Sequence, residues 1–268
     1  MLRSLRLGVV VTLAAVLTSG AAHGYSGGPT WIVTDLTTGC AGCHSSMQKS
    51  QLRTEREQMA AAQFVENKHY RALEEGTGSY KDMSPEDRQK LLADVKLMDQ
   101  HASVTLAGPA SAKPGQEIQL TATVQGGHGV VGVFLMESDL RFQGRSLASD
   151  GWVVVGAPKV WGADGKEQMK WVDSRGPELK KNLASVLIFD QQSDLAGKKF
   201  PQGKVVWTVR APPAPGSYPV AVGFAYGTEK ASPYGRVTNP SGVVLPRGGG
   251  LGPSGRILFS TVHTITVR

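Results

Sequence analysis

Cysteine is nearly absent: the 268-residue chain has two, Cys40 and Cys43, separated by two residues. Exported proteins use paired cysteines to cross-link distant segments, and this pair cannot serve that purpose. No apolar run reaches the roughly 20 residues a spanning helix needs. The longest, Leu7 to Leu17, has eleven and is broken by Gly8 and Thr12. There is no phosphate loop, no Asp/Glu cluster at metal spacing and no nucleophile elbow, which leaves the common nucleotide-hydrolysing and serine-hydrolase classes without their machinery. Lys and Arg outnumber Asp and Glu by 29 to 22, giving a formal charge of +7, but the cations are dispersed. Without a block of them the chain lacks a nucleic-acid stripe; the excess would at most favour docking to an acidic partner.

What is present begins with a secretory signature over residues 1–24. Arg3 and Arg6 form the basic region, Leu7–Leu17 the apolar region, and Ala22-His23-Gly24 supplies small residues at a cleavage site. The expected mature chain starts at Tyr25, keeps no membrane span and lies in the periplasm or outside the cell.

After a glycine-rich lead-in from Tyr25 to Thr30, residues 45–102 have helical character. Ser45 to Glu75 contains no glycine or proline and is rich in Gln, Glu, Arg and Ala. Gly76-Thr-Gly78 ends that stretch. Ser84-Pro-Glu-Asp87 opens a second helix, and Leu91, Leu92, Val95 and Met98 fall on one face up to about Ala102. The pattern predicts a helical hairpin. From Ser103 the period changes to two, clearest from Glu117 to Val124. Further strand-like runs are Ser103–Leu106, Val130–Met136, Trp152–Val155, Ser185–Phe189, Lys204–Arg210, Tyr218–Tyr226 and Arg256–Arg268. Seven or eight strands with Gly/Pro-rich connections predict an antiparallel sandwich over residues 103–268. Residues 161–181 and 228–253 read as long loops. The fold class is thus α+β and multi-domain, and the sandwich, with its own apolar strands, is expected to fold alone.

Cys40-Ala-Gly-Cys43-His44 is the attachment signature of c-type haem. Two thiols one helical turn apart reach the two vinyl groups of one porphyrin, and the adjacent histidine then meets the iron from the same side. A redox-active Cys-X-X-Cys would need a βαβ context, and zinc would need further ligands. The distal ligand is left open among His69, Met83, Met98, His101 and none. His69 would lie roughly 37 Å from His44 along an unbroken helix at 1.5 Å per residue. Met83 precedes a helix cap and Met98 continues an apolar stripe. His101 stands at the end of the second helix, which returns toward the motif in a hairpin, and it is favoured. His128 and His263 lie in strand-like segments and would serve only if the sandwich folded over the haem.

On that motif, residues 25–102 resemble a monohaem c-type cytochrome module. The resemblance implies one haem c per chain, iron ligation by His44, electron transfer rather than enzymatic turnover, and maturation by a haem lyase. The usual N-terminal helix before the motif and a Met-Pro loop before the last helix are both missing. Lys204 to Pro212, followed by Pro215-Gly-Ser-Tyr218, resembles the Ala-Pro corner and strand start of Ig-like and reeler-like sandwiches. Two other functions stay open: a haem enzyme or gas sensor with a free sixth position, and a surface or adhesive sandwich in which haem is secondary.

Overall fold

The computed structural model describes residues 70–136, 147–173, 183–227, 234–238, 244–248 and 256–268. The haem motif, His69 and most of the expected first helix lie outside the described residues. So does the expected leader.

Among the described residues two α-helices precede the sheets. A short one, α1 (Ala72–Glu75), stops at Gly76, whose φ of +69° is the left-handed conformation glycine adopts without penalty. The longer α2 runs Pro85–His101. Ser84 caps it, its hydroxyl oxygen accepting the Asp87 N–H at 3.1 Å. Pro85 fixes the first turn, and Glu86 and Asp87 sit at the positive end of the helix dipole. This is the start that the Ser-Pro-Glu-Asp signature predicts. Leu91, Val95 and Met98 are the buried stripe. Leu91 and Val95 pack with Leu73 and Tyr80 in a small cluster that Met83 partly covers, whereas Met98 belongs to the large core of the sheets.

Thirteen strands follow among the described residues: β1 (Ser103–Ala107), β2 (Ser111–Ala112), β3 (Glu117–Gln125), β4 (His128–Met136), β5 (Val153–Val154), β6 (Lys159–Trp161), β7 (Ser185–Gln192), β8 (Gln202–Arg210), β9 (Gly216–Tyr226), β10 (Tyr234–Thr238), β11 (Val244–Gly248), β12 (Arg256–Phe259) and β13 (His263–Val267). A four-residue helix, α3 (Lys170–Asp173), lies between β6 and β7. One sheet has the order β1-β3-β8, with β5 and β6 end to end on the far edge of β8. The other is built on β4 and β9; β7 and β10 pair with β4, β12 and β13 with β9, β11 with β10, and β2 runs parallel to β13.

Alternation explains the packing. In β3, Ile118, Leu120, Ala122 and Val124 are buried while the residues between them face outward. Val205, Trp207 and Val209 of β8 do the same. Opposite them the central strands β4 and β9 are buried along both faces for most of their length, as strands inside a layered domain are. Together these residues form one continuous core. Trp207 donates its indole N–H to the Leu183 carbonyl at 3.0 Å, so its polar edge is satisfied inside the core.

The chain passes from one sheet to the other at Gly126-Gly127, between β3 and β4. Gly127 has φ +85°, and a Cβ there would lie 2.4 Å from Val131 Cγ1, so only glycine fits. The predicted run Arg256–Arg268 divides into β12 and β13 at a bulge on the edge of β9. There the Ser260 hydroxyl accepts the Val222 N–H at 3.0 Å, replacing the ladder bond the bulge interrupts. The expected loop over residues 228–253 instead contains the β10–β11 hairpin. At the head of β9 the Tyr218 hydroxyl donates to the Ala214 carbonyl at 2.8 Å, a tyrosine-corner arrangement.

Candidate functional site

The last turn of α2 covers one end of the sandwich, and the chemistry of the described residues concentrates there. Met98 enters the core beside the glycine corner, where its sulfur accepts the Gly127 N–H at 3.2 Å. The Ser193 hydroxyl donates to the Gly127 carbonyl at 2.7 Å and holds the corner from the other side. The thioether is therefore engaged in packing, which is the role its place in the apolar stripe predicts.

Asp99, one residue on, is the hub. Its carboxylate accepts from Arg256 through Nη2 at 2.6 Å and Nε at 3.2 Å. It also accepts the Tyr226 hydroxyl at 2.8 Å and the Tyr70 hydroxyl. Four donors fill the lone-pair sites of one carboxylate. Arg256 is 2% exposed and Asp99 13%, so the two-pronged pair is shielded from water. The Arg256 guanidinium also lies 5.2 Å from the centroid of the Tyr70 ring. Burial alone would lower the pKa of Arg256, but the charge of Asp99, helped by Tyr226 and Tyr70, outweighs it and the net shift is upward. Burial, reinforced by the Asp99 charge, pushes the Tyr70 phenol well above its ordinary value. An aspartate in the last turn of a helix meets the negative end of the dipole. The arginine arriving from β12, 157 residues away, is what makes it favourable there.

His101 closes the helix. Its ring stacks on Phe200, centroids 4.3 Å apart and planes at 17°. Its carbonyl accepts the Gln125 side-chain N–H at 3.1 Å. Neither ring nitrogen is hydrogen-bonded to a described residue, and the side chain is half-buried. Cys40, Cys43 and His44 lie outside the described residues. Tyr70, the first described residue, contacts Asp99 near the end of α2. His128 stands at the head of β4, and His263 Nε2 lies 3.1 Å from the Pro109 carbonyl at the opposite, β2–β13 side. Among the described residues no three His, Cys, Asp or Glu side chains form a cluster that would hold a metal ion. No helix among them is long and apolar enough to cross a membrane.

The hub was missed by sequence reasoning. A carboxylate at the wrong end of the α2 dipole and a lone arginine opening an apolar strand are its two signals, and nothing local pairs them.

The two packed, mainly antiparallel sheets define the class, a β-sandwich protein with a helical lead-in. No family model matches the chain, and no curated protein matches it. Among solved structures it is similar to the ASH/PapD-like domain of human CEP192, at 13% identity over 62% of this chain and 84% of that one, with a TM-score of 0.25. It is also similar to a structure of the AAF fimbriae of enteroaggregative Escherichia coli, at 13% identity over 62% and 99%, TM-score 0.25. The reeler domain of human F-spondin matches at 10% identity over 59% and 87%, TM-score 0.23.

Proposed function

We propose that this chain is an exported c-type cytochrome, an electron carrier of the periplasm or cell surface that bears one haem c and uses its sandwich as the platform on which a redox partner docks. The observation that carries this reading is the motif Cys40-Ala-Gly-Cys43-His44, holding both cysteines of a chain with a secretory leader. The thioether bonds would hold the porphyrin at Cys40 and Cys43, and His44 would supply the proximal imidazole. Bound haem would supply one-electron chemistry at iron. His101 fits the distal position by its chemistry: an imidazole with both nitrogens unbonded to described residues, held by a stacked ring, on the turn of α2 that Tyr70 adjoins.

The test is expression with haem-attachment machinery, followed by denaturing electrophoresis with haem staining and intact mass. One haem should remain on the denatured chain, and Cys40→Ala/Cys43→Ala should remove it. A wild-type chain without covalent haem would overturn the reading.

A second reading, a surface-recognition sandwich in which haem is secondary, is favoured by the extent of the two sheets, whose strands hold nearly half of the described residues. Capture of a surface ligand by the haem-free double variant with full affinity would support it over the first.

A further inference from the structure

Strand β7 is an edge of the second sheet: among the described residues it pairs with β4 alone. Its register tells which backbone groups look outward. The Leu135 N–H donates to the Ala184 carbonyl at 2.9 Å. Alternation along an antiparallel pair then turns Ala184, Val186 and Ile188 toward β4, and Ser185, Leu187 and Phe189 away from it. Side chains from the segment between β6 and β7 meet two of those outward residues. Gln168 donates through Nε2 to the Phe189 carbonyl at 3.1 Å and accepts the Phe189 N–H at Oε1 at 3.0 Å. One amide thus repeats the two-bond exchange that a neighbouring strand would make. The Trp171 indole N–H donates to the Ser185 carbonyl at 3.2 Å. Gln168 is itself held, because its backbone N–H donates to the Val160 carbonyl of β6 at 2.7 Å. Gly162 leaves room for the amide, since a Cβ there would lie 2.0 Å from Nε2. The residue therefore ties the edge of one sheet to the edge of the other. Exposed Lys170 sets its ammonium 5.0 Å from the centroid of the Phe189 ring, on the same edge.

We infer that Gln168 is an edge lock: its amide occupies, within the chain, the backbone site on β7 where a further strand would add, and it thereby keeps two copies of the protein from pairing through β7. Haem plays no part in it. Ser185-Val-Leu-Ile-Phe189 carries no charge, proline or glycine and is β-branched or aromatic at most positions, the composition of a strand that pairs readily. The occupant that the unlocked edge fits is the same edge of a second copy. Run antiparallel about Leu187, two such strands set Leu187 opposite Leu187 and Ser185 opposite Phe189. Every outward N–H and C=O then finds a partner by two-fold symmetry. Lys170 is a second deterrent, because an incoming strand would have to take its ammonium out of water.

The experiment compares the full-length wild type with Gln168→Ala and with Gln168→Ala/Trp171→Phe, which frees the Ser185 carbonyl as well and keeps an aromatic ring in the core. Sedimentation over a concentration series reports the oligomeric state, and residue-resolved amide hydrogen exchange reports the edge. The wild type should stay monomeric with the Phe189 N–H protected. In dilute Gln168→Ala the Phe189 N–H should exchange roughly two- to tenfold faster, the range one net hydrogen bond converts to, while Val186 and Ile188 keep the protection that β4 gives them. On concentration the variants should form dimers, the double variant more strongly, with protection returning at Leu187 and Phe189. Unchanged exchange at Phe189 in Gln168→Ala overturns the lock. Faster exchange there in variants that stay monomeric at every concentration overturns β7 as the pairing edge, and so does a dimer that leaves Leu187 and Phe189 unprotected. Loss of protection at Val186 and Ile188 together with Phe189 would make Gln168 a general packing residue and overturn the inference too, as would a wild type that already dimerises through β7.

Discussion

Replacing Asp99 with alanine should be among the most damaging single changes in the described structure, by a mechanism that can be separated from loss of packing. The change removes the counter-charge of a guanidinium that is 2% exposed and leaves it buried and uncompensated. Breaking such a pair from one side costs about 3–5 kcal/mol. Tyr70 and Tyr226 lose their acceptor at the same time, at about 1 kcal/mol each if water does not replace it. Set against a typical total of about 5–15 kcal/mol, that is a large share of the stability. The midpoint of thermal unfolding should fall on the order of 10 °C. The assay is denaturant unfolding of Asp99→Ala, Arg256→Met and the double variant, treated as a cycle. Arg256→Met should cost less than Asp99→Ala, because it leaves a carboxylate that is 13% exposed and still bonded to two tyrosines. The double variant should recover much of the loss, since exchanging both ions for apolar groups is often near neutral. A cost for Asp99→Ala below about 1 kcal/mol, or strict additivity in the cycle, would refute the reasoning.

Gly127→Ala should cost about 2–4 kcal/mol, combining a positive φ with a Cβ that collides with Val131, and chemical denaturation will measure it. Ser84→Ala should remove the α2 cap and cost about 1 kcal/mol, read as a lower denaturation midpoint at unchanged slope. Alkaline titration should report Tyr70. Its folded pKa lies above the ordinary value of 10.0, so its contribution is complete below pH 10.0 and is lost as pH rises through the folded value. Stability should therefore decline above pH 10.0 more steeply in the wild type than in Tyr70→Phe.

Much of this architecture is legible in the sequence because its signals are local. The Ser84 cap, the Leu91-Val95-Met98 stripe and the period-two runs of β3 and β8 are each decided within a few residues, and each stands in the structure where the pattern puts it. What was not legible depends on distant partners. Strands β6 and β2 are only three and two residues long, too short to show a period, and exist because β8 and β13 offer them an edge. The hairpin β10–β11 lies among glycines and prolines that argue for a loop, and pairing in register across five positions overrides that preference. The Arg256–Arg268 run reads as one strand because periodicity does not mark a bulge that a single serine hydroxyl repairs.

The same distinction bears on where a folding unit ends. Composition changes at Ser103, and the expectation drawn from it is a sandwich beginning there and folding alone. Yet the core of the sheets contains Met98, and its buried arginine is neutralised by Asp99. The change of period marks where the backbone turns from helix to strand, while cooperativity follows the buried contacts, and these continue back to the last turn of α2. A sandwich has two open ends, and an end exposing Gly126, Gly127 and the apolar side chains of β4 must be covered by something. Here α2 covers it with a thioether, a methyl group from Ala102 and a carboxylate matched to the one cation that β12 buries. Starting the chain at Ser103 therefore has the same electrostatic consequence as Asp99→Ala, with loss of the core contact added. The smallest segment that retains its own charge balance begins before α2, and reaches back to Tyr70 if the hub is to keep all four of its donors.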